Sequence, residues 1–257
     1  MIYQYNDTPI FYTINGKGPV WVLLHGFLEN AKIWDTIIKD FSNSHMIITI
    51  DLPGHGNSGF VSDIHTMELM AKIVLDILEH LGITNATFIG HSMGGYVCLA
   101  CIEKHSEIVD KVVLINSIPS EDSEDRKVHR ERTLKIVEKN KEAFVQMAIS
   151  NLFTERSRKK YDLEIRALKK QALTISLENL KASIIGMGIR KDRVEVLKNF
   201  QKPKYMISGI EDPIMPIQQA ESLSQKTNTT LYKLEEGHMS WLENGKKLTT
   251  LLRFIDK

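Results

Sequence analysis

A serine lies at the centre of the pentapeptide Gly90-His91-Ser92-Met93-Gly94, which has the pattern G-x-S-x-G. The five residues follow a short apolar run typical of a β-strand and precede a run typical of a helix. In such a turn the serine adopts a strained backbone conformation, and its hydroxyl stands out above the sheet. Glycines on either side avoid a β-carbon that would collide with the adjoining strand and helix. The pattern therefore predicts that Ser92 is a nucleophile. The alternative is a glycine-rich turn in which the serine is merely exposed to solvent.

A serine hydroxyl is a weak nucleophile at neutral pH, so Ser92 needs a base, and that base needs a carboxylate to orient it. After a turn of this kind the partners follow along the chain as an acid and then a histidine. Asp212 comes just after an apolar run that predicts a strand, with Glu211 beside it as the alternative acid. His238 follows the next predicted strand and is the last histidine of the chain. The predicted triad is therefore Ser92, Asp212 and His238.

The tetrahedral intermediate of acyl transfer also needs two backbone N–H donors for its oxyanion. One is expected from Met93, the residue after the nucleophile. The second is expected from Phe27, which follows the predicted strand 20–24, because Gly26 allows the backbone to turn toward the site. His25 in the same loop is predicted to brace the loop rather than to serve as a second base.

Short apolar runs that alternate with helical patterns must position these residues. Helical spacing predicts a helix from Met67 to Leu81 that ends at Gly82. Residues 2–5 and 9–14 are predicted to be antiparallel strands. Parallel strands are predicted at 20–24, 46–50, 86–90, 111–115, 204–208 and 230–234. This alternation predicts a parallel sheet with helices on both faces, in which ligands bind beyond the carboxyl ends of the strands.

The pattern changes after Pro119. From Ser120 to about Arg193 no run typical of a strand occurs, charged residues are frequent, and apolar residues recur at helical spacing. Three or four helices are therefore predicted between two strands of the sheet.

With these residues in view, the chain resembles the α/β-hydrolase superfamily, above all its small single-domain esterases, enol-lactonases and carbon–carbon hydrolases. The matching segments are 25–27 with Trp34, 51–58, 90–95, 209–212, and 237–238 with Glu243. The resemblance implies the α/β-hydrolase fold, with a mostly parallel, eight-stranded twisted sheet, helices on both faces and a helical lid after strand 6. It implies a core domain of residues 1–118 and 194–257 and a lid of residues 119–193.

The resemblance assigns the triad to Ser92, Asp212 and His238 and the oxyanion-hole amides to Phe27 and Met93. The inner face of the lid would then shape the substrate pocket, although core packing is the alternative role for each apolar lid residue. The residues predicted to line the pocket are His25, His91, Phe144, Met147, Leu152, Phe153, Ile184, Met187 and Trp241.

These features predict a carboxylesterase-like serine hydrolase that cleaves a small, mostly uncharged ester or lactone, with His238 as general base and then acid. No cofactor or metal is implied. One alternative is a carbon–carbon hydrolase or lyase of the menaquinone-pathway type, although Tyr96 stands where that group usually has an arginine. Another is a small-ligand receptor with slow turnover or none.

The composition of the chain argues against nucleic acid and membranes as binding partners. The formal net charge of +1 shows no basic excess for nucleic acid or an anionic membrane, and no apolar stretch suits a membrane span. The N-terminus lacks the pattern of a secretory signal, so a cytoplasmic monomer or homodimer that binds a small ester-like substrate is expected. Cys98 and Cys101 are predicted to be buried apolar residues of a helix rather than a redox pair.

Overall fold

A computed structural model of the protein describes residues 1–256. Its eight strands form one sheet in the order β1-β2-β4-β3-β5-β6-β7-β8. The strands are β1 (Ile2–Tyr5), β2 (Thr8–Asn15), β3 (Val20–Leu24), β4 (Met46–Ile50), β5 (Ala86–His91), β6 (Val109–Ile115), β7 (Lys204–Gly209) and β8 (Thr230–Leu234). Within residues 1–256, β2 runs antiparallel to both of its neighbours and the other pairs are parallel. The predicted eight-stranded, mostly parallel sheet is confirmed.

The central strands are continuous apolar runs because helices cover both faces of the sheet. In β3 and β4 every residue after the first is buried. The predicted strands agree with the observed ones to within two residues. The largest difference is at β6, which begins at Val109 instead of residue 111.

Twelve helices are present among the described residues. They are α1 (Asp35–Phe41), α2 (Met67–His80), α3 (Met93–His105), α4 (Glu124–Lys139), α5 (Lys141–Ser150), α6 (Glu155–Lys160), α7 (Asp162–Ala172), α8 (Leu177–Gly188), α9 (Val194–Asn199), α10 (Ile217–Thr227), α11 (Ser240–Glu243) and α12 (Gly245–Asp256). The predicted helix 67–81 corresponds to α2, which is followed by Gly82 with a φ of 67°. Within residues 1–256, no helix is both long and apolar enough to cross a membrane.

The apolar residues form one layer on each face of the sheet. Helices α2 and α3 pack against one face, where Cys98 and Cys101 are buried and burial raises the pKa of both thiols. Helices α1 and α12 cover the other face through residues such as Ile37 and Leu252. The cysteines are therefore core residues, as the sequence predicts.

Five helices, α4 to α8, lie within residues 120–193, where three or four were expected, and α9 follows them before β7. The run from 124 to 150 divides at Asn140, whose extended backbone ends α4 and whose side chain caps α5. The six-residue α6 carries little apolar periodicity because it is mostly exposed. A third apolar cluster joins these helices to Leu28 and Met239 in loops beyond the strand ends. A separate lid domain of residues 119–193 stays a prediction.

Candidate active site

Ser92 forms the turn between β5 and α3, with φ of 49° and ψ of −115°. A non-glycine residue in this region is strained, and neighbouring contacts must hold it there. The Ser92 N–H donates to the carbonyl oxygen of Ile115 at 2.9 Å, and its carbonyl accepts from the Ser117 hydroxyl at 2.8 Å. A β-carbon on Gly90 would lie 2.5 Å from the carbonyl carbon of Gly94, so the turn cannot close without that glycine. The end of β6 therefore holds the serine in its strained conformation.

Ser92, His238 and Asp212 form one hydrogen-bonded chain, although 146 residues separate the serine from the histidine. His238 Nε2 lies 3.0 Å from Ser92 Oγ, and His238 Nδ1 lies 2.8 Å from Asp212 Oδ2. Because an ionised carboxylate only accepts, Nδ1 carries the proton and Nε2 can accept from the serine hydroxyl. Glu211, the alternative acid, is exposed and lies 3.6 Å from Arg156. The structure therefore brings Asp212, and not Glu211, to the histidine.

The Asp212 carboxylate is held by donors on both of its oxygens. Oδ1 accepts from the N–H groups of Ile214 at 2.8 Å and Met215 at 2.9 Å. Oδ2 also accepts from Asn116 Nδ2 at 3.0 Å. Burial favours the neutral acid, but His238 and these donors lower the pKa of Asp212 below its ordinary value. Asp212 is thus ionised and can orient the imidazole.

The backbone amides of Phe27 and Met93 are free to serve an oxyanion. Within residues 1–256 neither N–H donates a hydrogen bond, although Met93 is buried and Phe27 is half-buried. Phe27 and Ser92 line one cavity, and Met93 follows Ser92 directly in the chain. Buried amides without partners are rare, and a charge that develops at the serine would satisfy them.

A sequence profile described as the alpha/beta hydrolase fold matches residues 19–244. The chain belongs to the α/β hydrolase family. It is 26% identical to the dihydrolipoyllysine-residue acetyltransferase component of the acetoin cleaving system of Cupriavidus necator, over 98% of this chain and 68% of that protein. The enol-lactonase of Burkholderia xenovorans LB400 superposes with a TM-score of 0.91 at 21% identity, covering 99% of each chain. A thermophilic esterase of Thermogutta terrifontis superposes with a TM-score of 0.90 at 24% identity, covering 96% of this chain and 92% of that one.

The match over most of the chain confirms the predicted family, and the two superpositions confirm the predicted fold. As an α/β hydrolase with such neighbours, the protein is a hydrolase in the general sense.

Sequence reasoning missed Glu29, a buried carboxylate of this hydrolase that lies behind the nucleophile. Its Oε2 accepts from the Gly26 N–H at 2.5 Å and lies 2.9 Å from His91 Nδ1, while its Oε1 accepts from Trp241 Nε1 at 3.1 Å. Glu29 therefore ties the oxyanion loop to the residue before Ser92. Little in the sequence indicated this role, because Glu29 lies in the loop after β3 and no basic residue that could pair with it is adjacent in the chain.

His91 is held as a buried imidazolium by two acceptors. Its Nδ1 faces the Glu29 carboxylate, and its Nε2 lies 2.9 Å from the carbonyl oxygen of His238. Neither partner can donate, so both ring nitrogens must carry a proton. Burial opposes the charge, yet Glu29 raises the pKa of His91 and has its own pKa lowered. This ion pair, of which each side chain is 1% exposed, joins the loop after β3 to the end of β5, and the second hydrogen bond of His91 joins both to the loop after β8.

The triad opens into a cavity of about 390 Å³ beneath the inserted helices. Ser92 and His238 line one end of it. Of the predicted pocket residues, those that line the cavity are His91, Phe144, Met147, Leu152, Ile184 and Met187. Further lining residues that the sequence did not indicate are Leu28, Glu29, Tyr96, Arg126, His129, Arg130, Thr133, Ala148, Asn151 and Ile214.

Three predicted pocket residues do not line this cavity, and each has a structural role instead. His25 is fully buried, its Nδ1 donates to the Gly26 carbonyl, and its Nε2 accepts from the Leu52 N–H. It therefore braces the oxyanion loop, as its place in the sequence suggested. Phe153 is buried in the apolar cluster of the inserted helices. Trp241 donates its indole N–H to Glu29 behind the site.

The segment 51–58 is hydrogen-bonded to the loop that follows β3. Asp51 Oδ1 accepts from the Ala31 N–H at 2.8 Å, and its Oδ2 accepts from the Asn57 N–H at 2.8 Å. This agrees with the structural role that its proline and glycines indicate. Within residues 1–256, no group of three or more His, Cys, Asp or Glu side chains is arranged to hold a metal ion.

Proposed function

We propose that the protein is a carboxylesterase-like serine hydrolase that cleaves a small ester or lactone through an acyl-enzyme on Ser92. The strongest support is the hydrogen-bonded chain from the Ser92 hydroxyl through His238 to Asp212. A serine at a strained turn, a histidine whose Nε2 faces the serine hydroxyl and a carboxylate that orients the histidine are the parts that acyl transfer requires.

In the first step the Ser92 hydroxyl attacks the substrate carbonyl carbon while its proton passes to His238 Nε2, 3.0 Å away. The negative charge that forms on the carbonyl oxygen is stabilised by the N–H groups of Phe27 and Met93. Asp212 stabilises the imidazolium that forms on His238 and keeps the ring oriented through Nδ1.

In the second step the tetrahedral intermediate collapses, the ester C–O bond breaks, and His238 returns the proton to the leaving alkoxide. A water molecule then gives a proton to His238 and attacks the acyl carbon. Collapse of this second intermediate releases the acid and returns the proton to Ser92. With a lactone, acid and alcohol leave as one hydroxy acid.

The cavity suits a small substrate. Its volume of about 390 Å³ is at the low end of the range for sites that hold small organic ligands. Apolar side chains such as Phe144, Leu152 and Ile184 line it next to the triad and would pack against an acyl chain. The length of the preferred acyl group is set by how far this apolar wall extends.

Steady-state hydrolysis of p-nitrophenyl esters of increasing acyl length tests the proposal, with Ser92→Ala as the matched variant. A rate above background that disappears in the variant is the expected result, with an optimum at short to medium chains. Labelling with a fluorophosphonate provides a second readout, because the reagent should modify Ser92 in the wild type and leave the variant unmodified.

Loss of both signals would contradict the serine-esterase proposal. Labelling of Ser92 without hydrolysis of any ester would instead favour carbon–carbon bond cleavage on an activated ketone. If the reagent does not label the wild type, and the wild type and Ser92→Ala bind the same small ligands equally, a receptor function would be favoured.

A further inference from the structure

One face of α4 brings positive charge to the cavity wall. Four residues of this helix share a face because they follow the spacing i, i+3, i+4 and i+7. They are Arg126, His129, Arg130 and Thr133. All four line the cavity that contains Ser92. An apolar ester would form no ion pair with these arginines, so their presence in the cavity suggests a charged group on the ligand.

Part of the charge is balanced by Asp122, whose side chain is fully buried. Its Oδ1 lies 2.7 Å from Arg190 Nη1 and 3.4 Å from Arg126 Nε, and its Oδ2 contacts Arg130 Nε. Burial favours the neutral acid, but Arg130 and Arg190 hold the pKa of Asp122 below its ordinary value. One carboxylate therefore faces three guanidinium groups, and two positive charges remain without a counter-ion in this cluster.

Arg190 is the structural member of the three. It is buried, its guanidinium lies 4.2 Å from the ring centroid of Tyr96, and its Nη1 donates to the Met187 carbonyl at 2.9 Å. Its charge is thus held in place beneath the cavity wall and is not free to move toward a ligand.

Arg126 and Arg130 keep donors available. Arg126 uses Nη1 to donate to the Ile214 carbonyl at 2.8 Å, and Arg130 directs Nη1 toward the Met187 sulfur at 3.9 Å. Within residues 1–256, Nη2 of neither arginine donates a hydrogen bond. Their side chains are 41% and 19% exposed, so a ligand in the cavity can reach them.

No carboxylate on the cavity wall cancels this charge. Glu29 is the one acidic residue among those that line the cavity, and it is already paired with His91. The cavity that contains Ser92 therefore combines apolar side chains with the guanidinium groups of Arg126 and Arg130. A substrate that matches both has an ester or lactone carbonyl, a short aliphatic part and an anionic group beyond it.

We propose that Arg126 and Arg130 bind a carboxylate on the substrate, so that the enzyme acts on half-esters of dicarboxylic acids or on lactones that carry a free carboxylate. This inference rests on the proposed function, because it places the scissile carbonyl at Ser92. It replaces the mostly uncharged substrate that the sequence led us to expect. A phosphate would meet the same guanidinium groups, so the test distinguishes the two anions.

The test compares mono-4-nitrophenyl adipate with 4-nitrophenyl hexanoate, which have the same number of acyl carbons and differ in a terminal carboxylate. We expect the wild type to have the higher kcat/KM on the adipate ester. Arg126→Gln should lower the adipate-to-hexanoate ratio about threefold, because Arg126 is half exposed, and Arg130→Gln about tenfold. Arg132→Gln is the matched control, since this exposed arginine of α4 does not line the cavity.

Adipate and pentyl phosphate as competitive inhibitors distinguish the anions, with adipate expected to bind more tightly. Homologous half-esters from succinate to suberate then measure the distance from Ser92 to the arginines by the chain length at which the preference is greatest. Added salt should reduce the preference, because part of the site is exposed to solvent.

Serine-dependent hydrolysis of both esters with the same ratio in all four proteins would overturn the carboxylate site and leave the esterase proposal intact. If neither ester is hydrolysed, the esterase proposal fails, and calorimetry on Ser92→Ala decides the carboxylate site separately. Monomethyl adipate should bind that variant more tightly than methyl hexanoate does, and adding Arg130→Gln should reduce the difference about tenfold. Equal binding of the two ligands would refute the inference.

Discussion

Replacing Glu29 by glutamine tests the buried ion pair behind the nucleophile. The carboxylate of Glu29 meets three donors, the N–H groups of Gly26, His91 and the Trp241 indole. A glutamine side chain has one oxygen and one NH2 group, so in either orientation its NH2 faces a donor. The same change leaves the charge on His91 without a counter-ion.

The expected loss follows from the burial of both partners, each 1% exposed. Removal of one partner from a buried ion pair costs about 3–5 kcal/mol of unfolding free energy. This is a large share of the ~5–15 kcal/mol that stabilises a typical domain. His91→Gln should cost a similar amount, because it leaves Glu29 unpaired. The double variant has no buried charge, so its loss should fall short of the summed single losses by up to about 3 kcal/mol.

The pH dependence of the unfolding free energy is a second test of the coupling between Glu29 and His91. The pKa of Glu29 is lowered from 4.5, so its contribution is present above pH 4.5 and is lost as the pH falls through the lowered value. The pKa of His91 is raised from 6.5, so its contribution is complete below pH 6.5 and is lost as the pH rises through the raised value. The stability difference between wild type and double variant should therefore be largest between pH 4.5 and 6.5.

Urea unfolding followed by circular dichroism, at several pH values for the four proteins of the cycle, measures these differences. Glu155→Gln is the matched control, because Glu155 pairs with Lys159 on the surface and its loss should leave stability unchanged. Additive losses at every pH, or a loss in Glu29→Gln no larger than in the control, would refute the charged state of His91.

Three further outcomes follow from the site and the core. Asp212→Asn should lower kcat of the folded variant by about 10⁴, because the amide stabilises the wrong tautomer of His238; assays with p-nitrophenyl esters measure it. Gly94→Ala should cost about 2 kcal/mol or more in thermal unfolding, since the new methyl group would meet the Leu24 carbonyl oxygen. Thiol titration of the native protein with a disulfide reagent should detect no reactive thiol, because burial raises the pKa of both cysteines, and urea should expose Cys98 and Cys101.

Each of these outcomes has a control. Glu211→Gln should leave kcat nearly unchanged, and a loss equal to that of Asp212→Asn would show that the acid has been misassigned. Gly245→Ala provides a comparison for the glycine, because a β-carbon there meets no atom within 4 Å. Rapid modification of the native thiols would show that α3 is less well packed than the structure indicates.

The strands and the order of the predicted triad could be read from the sequence because local patterns carry them. The central parallel strands are continuous apolar runs, and Asp212 and His238 follow the ends of β7 and β8 by three and four residues. The helices between β6 and β7 were harder to count. A polar residue such as Asn140 can both end one helix and begin the next without a break in apolar spacing.

His25, Phe153 and Trp241 were predicted to line the pocket, but they do not line the cavity that contains Ser92, because they are buried or face the back of the site. Apolar and aromatic residues look the same in sequence whether they line a cavity or fill a core. The direction of such a side chain depends on which helix packs above it, and spacing along one helix does not determine that.

The sequence by itself was enough to predict the strands of the sheet and to propose the nucleophile and the chain order of its partners, because each prediction depends on residues that are neighbours along the chain. Only the tertiary structure decided the charge of His91 and the cationic wall of the cavity. Glu29 and His91 are 62 residues apart, and Asp122 meets Arg190 from the far end of the inserted helices. A charge inside a protein is stable only with its partner in place, so the protonation of these groups is a property of the folded chain.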